Sequence, residues 1–147
     1  MNAKDQQEGP AVVLDTNLFV AAFWNRQSAS AESLLACLEG RAHLYYTPQI
    51  KAEIKLILRN IKASNSYKQL VAQVLNKGTE IRPSVSVAVA EDPEDEKFLA
   101  CAVEAHADYL ITTDEHLLKL KVFNGVRIIK PTEFHKVLQS ARQGNNS

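Results

Sequence analysis

Two short apolar runs in this 147-residue chain each stop at an aspartate: Val12-Val13-Leu14-Asp15 and Leu110-Ile111-Thr112-Thr113-Asp114. Continuous apolar runs of this length read as strands buried on both faces, the kind that parallel sheets require. Parallel strands need a crossover between them, and the sequence supplies helices for that purpose. Asp15-Thr16-Asn17 opens a helical stretch, with Leu18, Phe19, Ala22 and Phe23 at helical spacing. Ser28 to Ser30 leads a second helix with Leu34, Leu35 and Leu38 inward, ended by Gly40. His43 to Tyr46 is β-like, and Thr47-Pro48 pairs a hydroxyl N-cap with proline at the first helical position. Ile50, Ile54, Ile57, Leu58 and Ile61 continue that helix.

A further helix is expected from about Ser66 to Asn76, stopped by Gly78. Glu80 to Val89 reads as irregular or short strand, interrupted by Pro83. Asp92 as N-cap and Pro93 then start a helix with Phe98, Leu99, Ala102 and Val103 inward. Glu115 to Leu120 reads as a short helix and Val126 to Ile129 as the last strand. Thr132 is expected to cap a terminal helix that frays from Gln143. Strands alternating with helices make the chain α/β with a mainly parallel sheet. The length suits one domain, expected over 11–142, between a flexible 1–10 and a frayed 143–147.

Composition excludes several classes. Apolar residues make up 46% and charged residues 23%, which is a folding composition. No run reaches the roughly 18–20 apolar residues of a membrane span, and the polar Met1 to Gly9 lacks a signal-peptide pattern. Cys37 and Cys101 sit inside apolar helical patterns, so they are expected to be reduced core residues of a cytoplasmic protein.

Net charge is zero, yet its distribution is uneven. The balance is −2 over residues 1–50, +5 over 51–83, −8 over 84–118 and +5 over 119–147. The acidic block holds one basic residue against nine acids. An acidic pocket that needs cations, rimmed by basic surface that holds a polyanion, accounts for this pattern. Three unrelated solvated faces would account for it too.

The acids have a place to meet. In open parallel sheets, ligands bind beyond the carboxyl ends of the strands, where Asp15 and Asp114 stand. Asp95 lies at the start of the helix before the second of these strands, and Glu53 lies within the helix after strand 43–46. Each also has an ordinary reading. Asp15 and Asp114 suit helix caps, Asp95 favours a helix dipole, and Glu53 suits a pairing with Lys55 or Arg59. Crowded together, the four repel one another unless cations neutralise them.

The string VVLDTN, a helical Glu some forty residues on, D-x-x-x-L-A-x-A before a strand and LITTD after it resemble the PIN domain, from roughly Val12 to Leu138. The resemblance is to the metal-dependent ribonucleases of the VapC-like toxin type, in the branch where Asp92-Pro93-Glu94-Asp95 precedes the third acid. It implies a three-layer α/β/α sandwich and Mg²⁺ or Mn²⁺ held by Asp15, Glu53, Asp95 and Asp114. Asn17 and Thr113 resemble polar residues lining that pocket, with Asp92 and Glu96 as further acids beside it. It also implies RNA as substrate and a small antitoxin partner that inserts a segment into the acidic pocket. A homodimer is implied as well, with Leu34, Leu35, Leu38, Tyr45 and Tyr46 as candidate surface.

Oxygen-only donors suit hard cations, and no Cys/His cluster is present to suit zinc. Lys51, Lys55, Arg59 and Lys62 stripe one helix face, and Lys119, Lys121, Arg127 and Lys130 surround the last strand. These basic residues are the candidates for RNA phosphates, with Phe23, Trp24, Tyr45, Tyr46 and Tyr67 available for stacking. A catalytically idle RNA- or protein-binding module of the same fold is the alternative. Phosphotransfer folds fit less well: the phosphatase pattern needs an Asp where Asn17 stands, and a receiver domain needs an acidic pair before its phosphoacceptor, together with a late-strand Lys, a set that is not placed here.

Overall fold

A computed structural model describes residues 9–84 and 93–145 of the chain. Its strands are β1 (Ala11–Leu14), β2 (His43–Tyr46), β3 (Thr79–Glu80), β4 (Tyr109–Ile111), β5 (Val122–Phe123) and β6 (Val126–Ile129). Its α-helices are α1 (Asn17–Trp24), α2 (Ala29–Leu38), α3 (Pro48–Asn60), α4 (Asn65–Lys77), α5 (Glu96–Glu104), α6 (Glu115–Leu118) and α7 (Pro131–Asn145). The strands form one sheet in the order β3-β2-β1-β4-β6-β5. Every pairing is parallel except β5 with β6.

The chain thus steps outward from β1 to β2 and β3, then returns to lay β4 on the other side of β1. β1 and β4 run in register, Val13 opposite Leu110 and Leu14 opposite Ile111. All four β1 residues are buried, as a strand covered on both faces must be. α2 packs against α1, α4 and α7, while α5 lies against β1, β2 and β4. The result is a three-layer α/β/α sandwich. Its core joins Val12, Val13, Leu44, Ile54, Tyr67, Leu99, Leu110, Ile111 and Phe134.

Local chemistry sets the helix starts. Ser28 accepts the Ala31 N–H, Thr47 accepts that of Ile50 and Ser64 accepts that of Tyr67, at 3.1–3.2 Å. The Ser64 cap starts α4 just before the expected Ser66. Gly40 follows α2 at φ +81°, a left-handed conformation that suits glycine. α5 begins at Glu96, after a tight 3-10 turn over Pro93–Asp95, and not at Pro93 as expected. Asp92, the expected cap, lies outside the described residues. α7 begins at Pro131, where Glu133 accepts the Lys130 N–H at 3.2 Å. It continues through Asn145, past the Gln143 where fraying was expected.

The β5–β6 hairpin was not expected from the sequence. Asn124 and Gly125 turn it with φ of +49° and +84°, the two positive values of a tight two-residue hairpin loop. Residues 115–120, expected as one helix, end it at Leu118 and lead into β5. Leu34 and Tyr46, expected on a dimer surface, are buried in the core. Cys37 and Cys101 are buried free thiols, both pushed up to about 12 by burial and therefore unreactive. Among the described residues no helix is long and apolar enough to cross a membrane.

Candidate active site

The strand order reverses between β1 and β4, which opens a crevice at their carboxyl ends. Asp15 is the first residue past β1, and Thr112 is the first past β4. The Asp15 N–H donates to the Ile111 carbonyl at 3.0 Å, so pairing with β4 continues one residue beyond β1. Asp15 is only 3% exposed. Its Oδ1 accepts the Asn17 N–H at 3.0 Å, and its Oδ2 accepts the Thr112 hydroxyl at 2.6 Å. Thr112 Oγ1 in turn accepts the Asp114 N–H at 3.0 Å. Asp114 caps α6 by accepting the His116 N–H at 2.8 Å.

Electrostatics bring a third acid, Glu53, into this account. Burial pushes the Asp15 carboxyl above its usual range. The bonds from Thr112 and Asn17 pull it back, while the charges of Asp114 and Glu53 push it further up. Asp15, Asp114 and Glu53 therefore share one neighbourhood, although they come from three different elements. Glu53 is on α3 and is half-buried. Its partner is neither Lys55 nor Arg59 but Lys97, in the first turn of α5, whose ammonium forms an ion pair with Glu53 Oε2. Lys97 also pairs with Glu94 at 3.1 Å, and its side chain is 7% exposed. Burial pulls the Lys97 pKa down, but the bonds from Glu53 and Glu94 outweigh it and hold the ammonium above its ordinary value.

Asp95 is buried at the N-cap position of α5 without bonding the helix through its side chain. It takes part in a polar interaction of its own. Glu96 is half-buried beside it. Among the described residues, no three Asp, Glu, His or Cys side chains stand as a ready-made metal-binding group. Asp15, Asp114 and Glu53 feel one another's charge but do not close on a common point. Asn17 enters through its backbone N–H, its side chain being exposed, and Thr113 is exposed as well. The threonine in contact with Asp15 is Thr112, which the sequence reading passed over. Lys97 was also passed over, and its signal was present: it is the only basic residue in the acidic block 84–118.

Lys55 and Arg59 are exposed and, with Lys68 of α4, line a groove of about 260 Å³ between α3 and α4. Lys51 faces Glu80 at 4.0 Å. Lys119 and Lys121 are exposed beyond α6. Of the aromatics, Tyr67 and Tyr46 are buried, whereas Trp24 is 68% exposed.

A model of the PIN domain matches residues 11–116. The chain belongs to the PIN domain family. Among curated proteins, this PIN domain is similar to an uncharacterized protein of Methanocaldococcus jannaschii, MJ1680, with 27% identity over 116 residues, covering 75% of this chain and 74% of that protein. Among solved structures its fold is similar to PAE2754 from Pyrobaculum aerophilum, with a TM-score of 0.59 and 14% identity, covering 95% and 96% of the two chains. It is also similar to a chain of VapBC2 from Rickettsia felis, solved bound to a DNA fragment from their promoter. That likeness has a TM-score of 0.53 and 14% identity, and covers 82% of this chain and 98% of that one.

Proposed function

We propose that this PIN domain is a metal-dependent ribonuclease centred on Asp15, with Asp95 and Asp114 as the other ligands of Mg²⁺ or Mn²⁺. The observation that carries this reading is a carboxylate buried at the strand switch point with Asp114 and Glu53 adding like charge against it. Such a group is costly in isolation, and a hard divalent cation removes the cost. The donors are all carboxylate oxygens, which fits Mg²⁺ or Mn²⁺ and not a softer metal. A bound divalent ion supplies Lewis acidity, activating water and neutralising charge on the phosphodiester.

The remaining work falls to the chain itself. Thr112 and the Asn17 N–H each bond one oxygen of Asp15 and hold the carboxylate in a fixed direction. Asp114 is anchored through α6, which leaves its second oxygen for a ligand. Glu53, held by Lys97, is the acid that orients an attacking water toward the crevice. Glu96 stands as an outer acid, and Thr112 takes the part expected of Thr113. Lys51, Lys55 and Arg59 on α3, with Lys119 and Lys121 beyond α6, contact RNA phosphates and position the strand without reading its bases.

The fold likeness to a VapBC2 chain supports a toxin role with an antitoxin partner and an oligomeric assembly. Two reduced, buried thiols fit a cytoplasmic location. A second reading, an idle RNA- or protein-binding module, draws on one observation: Lys97 already occupies Glu53. Cleavage of RNA by wild type and Asp15→Asn, with Mg²⁺, Mn²⁺ or chelator, separates the two. Metal-dependent cutting by the wild type alone is expected.

A further inference from the structure

Lys97 is an unusual residue for its surroundings. It is the only lysine or arginine among residues 84–118, a stretch that carries nine acids. Its side chain is nevertheless 7% exposed, and burying an ammonium costs free energy unless it is paired. Here the pairing is double, with Glu53 of α3 on one side and Glu94 at 3.1 Å on the other. The Phe98 ring adds a third contact, its centroid 5.2 Å from the ammonium. Two elements distant in sequence therefore hold one positive charge at a fixed place, next to an acid whose field reaches Asp15.

We infer that Lys97 is the fixed second cation of this site: the chain binds one divalent ion at Asp15, and the ammonium takes the place that a second ion would occupy at Glu53. The inference rests on the nuclease reading above. In two-ion phosphodiester sites the cations lie roughly 3.5–4 Å apart and share the acids between them. At Glu53 that share is already taken by an ammonium, and a second divalent ion there would meet its repulsion. A lysine charge cannot be chelated away, so this half of the site is permanent while the Asp15 half depends on metal. Glu53 and Lys97 are then positioning residues for the reacting phosphate and water, not ligands.

Counting Mn²⁺ bound to the full chain, by titration calorimetry and by loss of the free-ion spin-resonance signal, tests this. One ion per chain is expected for wild type and for Lys97→Arg, which keeps the charge. Two are expected for Lys97→Met, which frees Glu53 and Glu94. Two ions on the wild type would overturn the fixed-cation role and leave the nuclease reading intact. A single ion on a Lys97→Met variant whose circular dichroism matches wild type would overturn it as well. No Mn²⁺ on the wild type would overturn both readings together. Should Lys97→Met fail to fold, Lys97→Gln, which also removes the charge, is counted in its place with the same two outcomes.

Discussion

The Thr112 hydroxyl donates to Asp15 Oδ2 at 2.6 Å from the end of the neighbouring strand, and the same oxygen accepts the Asp114 N–H at 3.0 Å. One buried side chain thereby sets the direction of the central carboxylate and the path of the loop that carries another. Thr112→Val keeps the shape and removes both bonds. It should cost about 1–3 kcal/mol in urea denaturation, the usual penalty for leaving a buried polar group unsatisfied. It should also weaken Mn²⁺ binding, because Asp15 loses the bond that holds its charged form. Thr112→Ser should restore most of both.

Asp15 makes the metal-free protein pH-sensitive. Its folded-state pKa is raised from 3.8 by burial and then by the charges of Asp114 and Glu53. The folded state therefore binds its proton more tightly than the unfolded chain. This contribution to stability is fully present below the unfolded value and is lost as pH rises through the folded one. Metal-free Asp15→Asn should consequently melt above metal-free wild type at neutral pH, with the gap closing toward pH 4. Saturating Mn²⁺ should raise the wild-type Tm and leave that of Asp15→Asn unchanged. Paired thermal melts across pH check both statements.

Much of this architecture is legible in the sequence, and the gaps have physical causes. β1 and β4 are apolar because both faces are covered, so the end of β1 at Asp15 can be read directly, while β4 ends at Ile111, one residue before the expected Thr112. Which threonine enters the crevice is decided by register: adjacent residues point to opposite faces, and a shift of one exchanges Thr112 for Thr113. The β5–β6 hairpin was signalled only by Asn124-Gly125, since strands of two residues carry no periodicity. The Lys97–Glu53 pair joins α3 to α5, a tertiary contact that neither helix announces alone. Its one trace was a base standing among acids. Ser28 and Thr47 were legible as caps because capping is local chemistry.

Gly78 offers a test of packing away from the site. Its φ of −84° suits any residue, but a Cβ built there would stand 2.7 Å from the Leu44 carbonyl oxygen. The end of α4 is pinned at this point by Tyr46, whose hydroxyl donates to the Leu75 carbonyl at 2.8 Å. Gly78→Ala should therefore destabilise by about 1–3 kcal/mol through overpacking against β2. An urea midpoint equal to wild type would show that β2 and α4 do not approach so closely.

RNA binding should depend steeply on salt. For a single strand the slope of log K against log salt is about −0.7 for each phosphate neutralised. Lys55→Ala and Arg59→Ala, both exposed on α3, should each reduce that slope by about 0.7 and leave the melting temperature near wild type. Fluorescence anisotropy with a labelled single strand over a salt series measures it. A flat response would exclude these residues from the interface.

The most direct measurement is cleavage of end-labelled single-stranded and structured RNA, with wild type and Asp15→Asn purified in parallel and Mg²⁺, Mn²⁺ or EDTA supplied. Wild type should cut in either metal, stop in EDTA, and Asp15→Asn should not cut at all. Equal cutting by Asp15→Asn, or cutting by wild type that survives EDTA, would contradict a metal site centred on Asp15.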